Sequence, residues 1–465
     1  MVDFDNQVCN QLSKLLIPAY FQNSLGLICI DSACGWPSYS KLLVRKQNCL
    51  RVELPKSRVQ TTLSVMIRSL LFLLSLISYL LSPSVLSQTR LESLLGDGGV
   101  MLNSPFGESL VSINAYRELL PASLVKIPLT QVVLTALGED FRFETRFFRN
   151  DDGDLLIRGL GDPFLVSEEI ARIADTLSQR GLQRVRRLVM DDSAFEPKPD
   201  LPMEVGARDP YAARVSALSV NFNTVNLAWS ADGQVTSGEE QTPLTPLARE
   251  LAATLAPGDP ERVNLGSDPV AGLQQAQQLF HHFFEASGIT VSDSGFYRES
   301  VGEGWELLYT HQSSRSLRDI LKGMLRYSNN FIANQLFLTL GAQQSGYPSR
   351  VAAARSTLQQ RLMEVFGEGY GDDPELLLMP EGSGLSRDQR SSAVGMMGIL
   401  QQFKPYASLL PDNDGVLRKS GTLTGVYNFA GYIPGANGLY PFVIMTNQGS
   451  NNRAEILRLL RQQVP

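Results

Sequence analysis

The stretch Leu120-Pro-Ala-Ser-Leu-Val-Lys126 is the part of this 465-residue chain from which both the fold and the chemistry can be argued. Ser123 and Lys126 are three positions apart, so on a helical turn they lie on one face and can reach each other. A buried lysine whose ammonium form is disfavoured can accept the serine proton. Alone, the pattern is more typical of a capping serine and a surface lysine. A nucleophilic serine is therefore a hypothesis that needs further residues.

The helix that carries this pair is expected to run from Pro121 to about Leu137, before Gly138. Pro128 lies inside this pattern and predicts a kink or an early break, because proline lacks the N–H that a helix interior uses. The free N–H groups at the start of the helix would face a developing anion near Ser123.

Two further motifs follow in order along the chain. Ser328-Asn-Asn330 lies between an amphipathic helix pattern over 317–325 and a second helical run over 331–340. Lys419-Ser-Gly421 lies on a strand predicted over 416–422. A lysine on an edge strand that faces the nucleophile would supply a cation for a substrate carboxylate. The order and context of the three motifs, rather than any one of them, favour catalysis.

A second Ser-x-Asn pair, Ser219 and Asn221, also lies between the first and third motifs. It falls in strand-like alternation over 216–229, whereas Ser328 lies between two helices. We therefore expect Ser328 and Asn330 to belong to the site.

Strand patterns at both ends of the chain predict one sheet that both termini complete around a helical middle. They are a hairpin over 100–104 and 109–114, and strands over 416–422, 426–432 and 439–446, followed by a helix around 456–460. Between them, strands are expected over 141–148, 155–158 and 184–191, with a helix over 167–182. The Gly-, Pro- and Thr-rich segment 235–270 is interpreted as a linker or surface loop.

The N-terminal region has the pattern of an export signal. After Met66 come Arg68, an apolar run over 70–81 and a small-residue stretch that ends at Ser87. The apolar run is shorter than a membrane-spanning helix. We expect translation to start at Met66, with 1–65 a spurious upstream extension; the alternative is a cytosolic tail on an uncleaved signal anchor. All four cysteines precede residue 50, so the mature chain would contain none.

Composition excludes several classes of function. A formal net charge of −6 without a basic patch argues against a nucleic-acid partner. The three histidines lack the spacing of a zinc site, and the acidic run at 150–154 is interpreted as a hairpin turn rather than a calcium loop. No metal or cofactor is therefore expected.

With their neighbourhoods, these motifs resemble the low-molecular-mass class C penicillin-binding proteins, the D-alanyl-D-alanine carboxypeptidase/endopeptidases. The resemblance covers about 95–460. Besides the stretch 120–126, it rests on Leu160-Gly-Asp-Pro163, Ala217-Leu-Ser-Val-Asn221, Glu381-Gly-Ser-Gly-Leu-Ser386 and Lys419-Ser-Gly-Thr-Leu-Thr-Gly-Val-Tyr-Asn428. Glu381 stands where the family usually has Asp, and Ser383 and Ser386 are interpreted as turn residues.

The resemblance implies an acyl-enzyme mechanism without metal or cofactor. Ser123 would attack the penultimate D-Ala of a peptidoglycan stem peptide, with Lys126 as base and Ser328 as proton relay to the leaving amine. Asn330 would hold the peptide amide, and Lys419 would polarise the site. Ser420 and Thr422 would bind the terminal carboxylate, and the N–H groups of Ser123 and Thr422 would form the oxyanion hole. β-Lactams would acylate the same serine.

The resemblance also implies a fold of the α+β class: the β-lactamase/serine DD-peptidase fold, with an antiparallel sheet, a helical subdomain and a large inserted α/β domain. The expected divisions are an upstream extension 1–65, a signal peptide 66–87, a penicillin-binding domain in two parts, 88–140 and 301–465, and an insert 141–300. The protein is then a periplasmic or otherwise exported serine DD-peptidase, with membrane association at most through an uncleaved N-terminal segment.

Three alternatives stay open. The same fold could serve a β-lactamase or an esterase, although the large insert argues against both. A non-catalytic cell-wall-binding relative is disfavoured, because it would have no chemical reason to keep all the motif residues. Carboxypeptidase and endopeptidase activity are equally compatible with the motifs, because both cut after a D-Ala through the same acyl-enzyme.

Overall fold

The computed structural model describes most of the chain beyond the expected signal segment. The described residues are 69, 83–202, 208–256, 258 and 260–465. The expected extension 1–65, the four cysteines and the signal pattern up to residue 82, except residue 69, lie outside them. All elements below belong to the unit that begins at residue 77. Among the described residues, no helix combines the length and apolar character needed to cross a membrane.

The helices and strands are numbered in chain order. The strands are β1 (Gly99–Asn103), β2 (Ser109–Ile113), β3 (Glu144–Arg149), β4 (Leu155–Gly159), β5 (Arg184–Asp191), β6 (Thr224–Trp229), β7 (Val235–Ser237), β8 (Glu261–Asn264), β9 (Thr290–Arg298), β10 (Glu306–Gln312), β11 (Tyr370–Gly371), β12 (Leu377–Leu378), β13 (Arg390–Ser391), β14 (Asp412–Asn413), β15 (Val416–Leu423), β16 (Val426–Gly435) and β17 (Gly438–Thr446). The α-helices are α1 (Pro83–Leu95), α2 (Lys126–Leu137), α3 (Ser167–Gln179), α4 (Pro246–Ala252), α5 (Ala271–Ala286), α6 (Leu317–Tyr327), α7 (Asn330–Ser345), α8 (Val351–Phe366), α9 (Ala393–Phe403) and α10 (Arg453–Arg461).

A six-stranded antiparallel sheet joins the two ends of the described chain. Its strand order is β14-β15-β16-β17-β1-β2. The first hairpin attaches to the C-terminal strands where Val100 of β1 lies opposite Ile444 of β17. The expectation of one sheet completed by both ends of the sequence is confirmed.

Both faces of this sheet are covered, because successive side chains of a strand point to opposite sides. On β17, Phe442 and Ile444 pack in a cluster with α1 and α10, including Leu460. Val443 and Met445 point the other way, into a larger apolar core shared with α2, α6, α7, α8 and α9. The sheet therefore holds α2, the helix that follows Ser123, through an extensive core.

The expectation for Pro128 is wrong in its detail. A 3₁₀ turn over Ala122–Val125 precedes α2, which begins at Lys126 and continues past Pro128 to Leu137. Pro128 is the third residue of α2, where a helix leaves the backbone N–H without an intrahelical partner. The proline therefore does not end the helix, and the break in helix type comes earlier, immediately before Lys126.

A second sheet lies between the two parts of the first in the sequence. Its order is β10-β3-β4-β5-β9, and its core includes residues of α3 and α5. The strands and the helix expected between 141 and 191 are confirmed within a few residues. Because β10 (Glu306–Gln312) pairs with β3, we propose that the inserted domain extends to about 312 rather than to 300.

The interpretation of 235–270 as a linker or loop is wrong. The segment contains β7, α4 and β8, and the two strands flank β6 in a three-stranded sheet. Val225, Leu251 and Val263 belong to the small apolar core of this unit. The elements are short and separated by turn residues, so hydrophobic periodicity did not reveal them.

Candidate active site

Ser123 lies in the 3₁₀ turn before α2, and Lys126 is the first residue of that helix. The Ser123 Oγ and Lys126 Nζ atoms are 2.9 Å apart. Asn428 on β16 connects this turn to the sheet, because its Nδ2 donates to the carbonyls of Leu120 at 2.8 Å and Pro121 at 3.0 Å. The expected proximity of serine and lysine is thus present.

Lys126 is fully buried and has three polar partners. Its Nζ lies 2.8 Å from Asn330 Oδ1 and also contacts the carbonyl oxygen of Ser383. Both of these partners are pure acceptors, whereas the third, Ser123 Oγ, carries a proton of its own. A neutral amine has two N–H groups and one lone pair. It can therefore donate to the two acceptors and still take a hydrogen bond from the Ser123 hydroxyl.

The surroundings favour this neutral form. Burial lowers the pKa of Lys126 well below its usual range, and the positive charge of Lys419 lowers it further. The carboxylate of Glu381 acts in the opposite direction but is the smallest of the three contributions. Desolvation disfavours the charged ammonium, so the local environment favours a neutral amine, the form that can accept a proton.

Ser328 and Asn330 diverge from the junction between α6 and α7. Ser328 ends α6 in the left-handed conformation, with φ 53°, and Asn329 caps α7 by accepting from Ile332 N at 2.9 Å. Asn330 then faces Lys126, and its Nδ2 donates to the carbonyl of Tyr211 at 3.2 Å. Because the backbone changes direction sharply here, Ser328 and Asn330 of one short motif can hydrogen-bond to different lysines, Lys419 and Lys126.

Lys419 on β15 is the second lysine. It is 1% exposed, and its Nζ donates to Ser328 Oγ at 2.8 Å and to the Ser420 carbonyl at 2.6 Å. Burial, and then the charge of Arg453, lowers the pKa of Lys419 to about 7. The neighbouring Gly421 permits close approach of β15, since a Cβ there would lie 2.5 Å from the carbonyl oxygen of Pro121.

The structure therefore brings the three motifs together in two hydrogen-bonded groups. Ser123, Lys126 and Asn330 form one group, and Ser328 and Lys419 form the other. Ser420 lines a groove beside them, and Thr422 is exposed further along β15.

The competing pair, Ser219 and Asn221, forms its hydrogen bonds elsewhere. Ser219 Oγ donates to the carbonyl of Ser216 at 3.1 Å, and Asn221 Oδ1 accepts from Ser167 N at 2.9 Å. His311 is buried and pairs with Glu169 at 3.0 Å, as a packed histidine rather than a ligand. Within the described residues, no group of three His, Cys, Asp or Glu side chains could hold a metal ion.

The loop around Ser383 is a part of the site that the sequence did not reveal. The Ser383 carbonyl contacts Lys126, while buried Glu381 accepts from the backbone N–H groups of Ser383 at 2.6 Å, Gly384 at 2.8 Å and Ser386 at 3.2 Å. Gly384 has φ 85°, and a Cβ there would lie 2.4 Å from the Ala122 carbonyl oxygen. Glu381 thus shapes the loop that aims a carbonyl at the base. In the sequence, this stretch contributed only to the family resemblance, and Ser383 was interpreted as a turn residue without a role in the site.

Arg453, the first residue of α10, is the other residue that sequence reasoning missed. Its Nη1 donates to Thr422 Oγ1 at 2.7 Å, and its guanidinium lies 4.5 Å from the centre of the Phe429 ring. No motif surrounds it in the sequence, since only the packing of α10 on the sheet brings it to β15.

We expect Glu381→Gln to loosen this loop. An amide presents N–H groups to backbone donors that need an acceptor, so the free energy of unfolding should fall by about 1–3 kcal/mol. Acylation of Ser123 by a fluorescent β-lactam should slow as well. Urea denaturation and labelling rates measure the two effects, and exposed Glu375→Gln in the same segment is the matched control. Equal behaviour of the two variants would show that Glu381 does not shape the loop.

Comparison with known proteins gives one matching family model. The D-Ala-D-Ala carboxypeptidase 3 (S13) family matches residues 85–254 and 257–413. A D-alanyl-D-alanine carboxypeptidase of Actinomadura sp. (strain R39) is 28% identical over 438 residues, covering 78% of this chain and 80% of the relative. The D-alanyl-D-alanine carboxypeptidase DacB of Haemophilus influenzae is 24% identical over 428 residues, covering 73% of this chain and 83% of that one.

Solved structures show a similar fold. The crystal structure of penicillin-binding protein 4 from Haemophilus influenzae superposes with a TM-score of 0.65 at 20% identity, covering 81% of this chain and 98% of that chain. Its complex with a novel β-lactam superposes with a TM-score of 0.60 at 20% identity, with the same coverage. The expected α+β fold, with its sheet, helical subdomain and inserted domain, is confirmed.

Proposed function

The chain belongs to the D-Ala-D-Ala carboxypeptidase S13 family, and from this premise we propose that it acts on peptidoglycan stem peptides through an acyl-enzyme on Ser123. Membership makes it a serine-type D-Ala-D-Ala carboxypeptidase/endopeptidase and a low-molecular-mass penicillin-binding protein. The observation that supports Ser123 is the buried amine of Lys126, 2.9 Å from Ser123 Oγ and in contact with two pure acceptors.

In the proposed acylation step, the Ser123 hydroxyl gives its proton to Lys126 Nζ while Oγ attacks the carbonyl carbon of the penultimate D-Ala. The Oγ–C bond forms and the carbonyl oxygen becomes an oxyanion, for which the backbone N–H groups of Ser123 and Thr422 are the proposed donors. As the C–N bond then breaks, the Ser328 hydroxyl gives its proton to the leaving amine. Ser328 Oγ then takes up the proton that Lys126 held, which restores both side chains. Among the described residues no hydrogen bond joins these two side chains directly, so this step requires a bridging water or substrate atom.

Deacylation reverses the roles. Water attacks the ester carbonyl, Lys126 takes the proton of the water, and Ser123 Oγ leaves as a hydroxyl after protonation. The same base serves both half-reactions, because the neutral amine is regenerated after each one.

The proposed carboxylate site lies along β15. Lys419 contributes its charge, and Ser420 and Thr422 contribute hydroxyl groups. Arg453 donates to Thr422 Oγ1 and so orients that hydroxyl while adding a second positive charge nearby. A terminal carboxylate would thus be recognised by charge as well as by hydrogen bonds.

We expect a bell-shaped pH profile of kcat/KM for a stem peptide with a free terminal carboxylate. Activity should rise with pH as Lys126 loses its proton, because only the neutral amine is a base. It should fall above pH about 7 as Lys419, whose pKa is lowered to about 7, loses the charge that attracts the carboxylate.

Stopped assays across pH measure this profile. In Lys419→Arg the alkaline limb should move to higher pH, because the guanidinium stays charged. A C-terminally amidated peptide is the control and should lack that limb. An alkaline limb unchanged in Lys419→Arg would assign it to another group.

The family supports proposals on the interactions and the location of the protein. This is a cell-wall peptidase family. A Haemophilus influenzae relative has been crystallised with a β-lactam, and we propose that β-lactams likewise acylate Ser123 here.

We also propose that residues 66–87 direct export to the periplasm. N-terminal sequencing of the exported protein tests this, since a mature chain that retains Cys49 contradicts it.

Digestion of purified muropeptides tests the proposed function. The wild-type protein should release D-Ala from pentapeptide monomers or separate cross-linked dimers, and pretreatment with penicillin should abolish both reactions. If a folded protein consumed neither the monomers nor the dimers, the proposal would be overturned. The relative rates on monomer and dimer give the balance between carboxypeptidase and endopeptidase activity.

A further inference from the structure

A groove of about 760 Å³ lies beside the proposed site, between the α6 side and β15. Four cationic residues line it: Lys322, Arg326, Arg418 and Arg453. Ser420 also lines the groove and connects it to the site, and Asp412 is the one carboxylate residue in its lining. In a chain whose net charge is −6, this is a local concentration of positive charge.

The carboxylates of Asp414 and Asp412 lie near one of these four cations, Arg418, and oppose the lowering of its pKa by burial. Within the described part of the chain, none of them forms an ion pair with a carboxylate. Arg418 and Arg453 lie against the same aromatic ring, 4.9 and 4.5 Å from the centre of Phe429. Burial lowers the pKa of Arg453, and repulsion from Arg418 lowers it further. Like charges held this close favour an external anion.

The groove lies on one particular side of the nucleophile. Lys322 and Arg326 are one turn apart on α6, and that helix ends at Ser328, the residue proposed to protonate the leaving amine. Lys419 links Ser328 to Ser420, which lines the groove. Asn330 points to the other side, where it bonds to Tyr211. The leaving group is therefore expected to enter the groove.

The size of the groove distinguishes two kinds of leaving group. Free D-Ala carries a single carboxylate beside the amine, which the β15 hydroxyl groups and Lys419 would bind. The groove, at 760 Å³, falls in the range of about 300–1,000 Å³ typical of pockets for much larger ligands. A cross-linked peptide leaves as an amine that carries a whole stem peptide with several carboxylates.

We propose that this groove binds the acidic leaving peptide of a cross-linked stem-peptide dimer, with its cations paired to the peptide carboxylates. The proposal rests on the proposed function and deepens it, because it assigns a substrate class to the leaving-group side. It implies that Lys322 and Arg326 on α6 assist the endopeptidase reaction alone, whereas Ser420 and Arg453 of the groove lining serve both reactions.

The test compares two substrates in matched variants. Lys322→Gln/Arg326→Gln removes two exposed groove cations, and Arg184→Gln/Arg249→Gln removes two exposed cations from outside its lining. In the groove variant, kcat/KM for cross-linked dimers should fall about tenfold, as expected for two ion pairs of this type. Its kcat/KM for pentapeptide monomers and its rate of penicillin acylation should stay within about twofold of wild type.

A chemically altered substrate gives an independent readout. A dimer with amidated carboxylates on the leaving peptide should be cleaved about tenfold more slowly by the wild type. The difference between the two dimers should be smaller in the groove variant, which keeps only Arg418 and Arg453 of the four groove cations. Added salt should slow cleavage of the acidic dimer more in the wild type than in the groove variant.

The outcomes separate this proposal from the proposed function. Unchanged dimer cleavage in the groove variant, equal losses on monomer and dimer, or no effect of amidation would each overturn the role of the groove. The absence of an effect of amidation is also the result expected if the groove bound a phosphate polymer. A wild-type protein that forms no penicillin adduct and cleaves no muropeptide would instead overturn the proposed function.

Discussion

The Ser123→Ala variant is expected to form no covalent penicillin adduct and to lose at least about 10⁴-fold in the rate of D-Ala release. The loss should be this large because the acyl-enzyme needs the Oγ atom and no other hydroxyl takes its place beside Lys126. That amine has only Ser123 Oγ, Asn330 Oδ1 and the Ser383 carbonyl as hydrogen-bond partners among the described residues. Water could still reach a bound substrate, but without the covalent intermediate.

Intact-protein mass spectrometry after incubation with penicillin measures the adduct, and muropeptide digestion measures the rate. Ser356→Ala, an exposed serine on α8, is the matched control and should label like the wild type. The variant should remain folded, because among the described residues Ser123 Oγ makes only a 3.4 Å contact with the Ser383 carbonyl besides its contact with Lys126. A stoichiometric adduct on Ser123→Ala would place the nucleophile elsewhere. An adduct on the wild type that turned over quickly would point to a β-lactamase.

The parts of the fold that the sequence predicted are those with strong periodicity. The strand β17 carries a long run of buried residues, β16 alternates over its first residues, and α6 carries its buried residues at helical spacing. Pairing the first hairpin with β17 required only the idea that strands at both ends share a sheet. The prediction for the segment 235–270 was wrong for the opposite reason, since its strands and helix are too short to show a hydrophobic period.

The candidate site divides in a similar way. Ser123, Lys126, Ser328, Asn330 and Lys419 occur in short motifs, because each motif spans one turn or one strand. The Ser383 carbonyl is a backbone group, which no residue type specifies, and its direction depends on Glu381. Arg453 reaches Thr422 across 31 positions of sequence. Contributions that arise from long-range packing or from the backbone leave no local pattern.

The roles of the two lysines show what the structure adds to the motifs. Both are almost fully buried, and each lacks a direct carboxylate partner within the described residues. The charge of Lys419 helps to lower the pKa of Lys126, and Arg453 in turn lowers that of Lys419. The cationic residues on β15 and α10 therefore do more than attract a carboxylate, because they also help to keep the base neutral.

Replacement of Lys126 is expected to separate its basicity from its shape and charge. Lys126→Met keeps an unbranched chain of similar length but has no lone pair that can take the serine proton. Lys126→Arg keeps hydrogen-bond donors for Asn330 and Ser383 but stays protonated at any accessible pH. Both variants should therefore acylate about 10³-fold more slowly than the wild type, the usual size of a general-base contribution.

Stopped-flow labelling with a fluorescent penicillin measures the acylation rate, and thermal unfolding shows whether each variant is folded. Lys322→Met is the matched control, because it makes the same substitution at an exposed lysine on α6 and should acylate at the wild-type rate. If Lys126→Arg acylated within tenfold of the wild type, a positive charge near Ser123 would be sufficient and the proposed proton transfer would be wrong. If Lys126→Met did so, Lys126 would have no chemical role. Slow acylation in both variants, with folding retained, is the result that only a neutral amine acting as base explains.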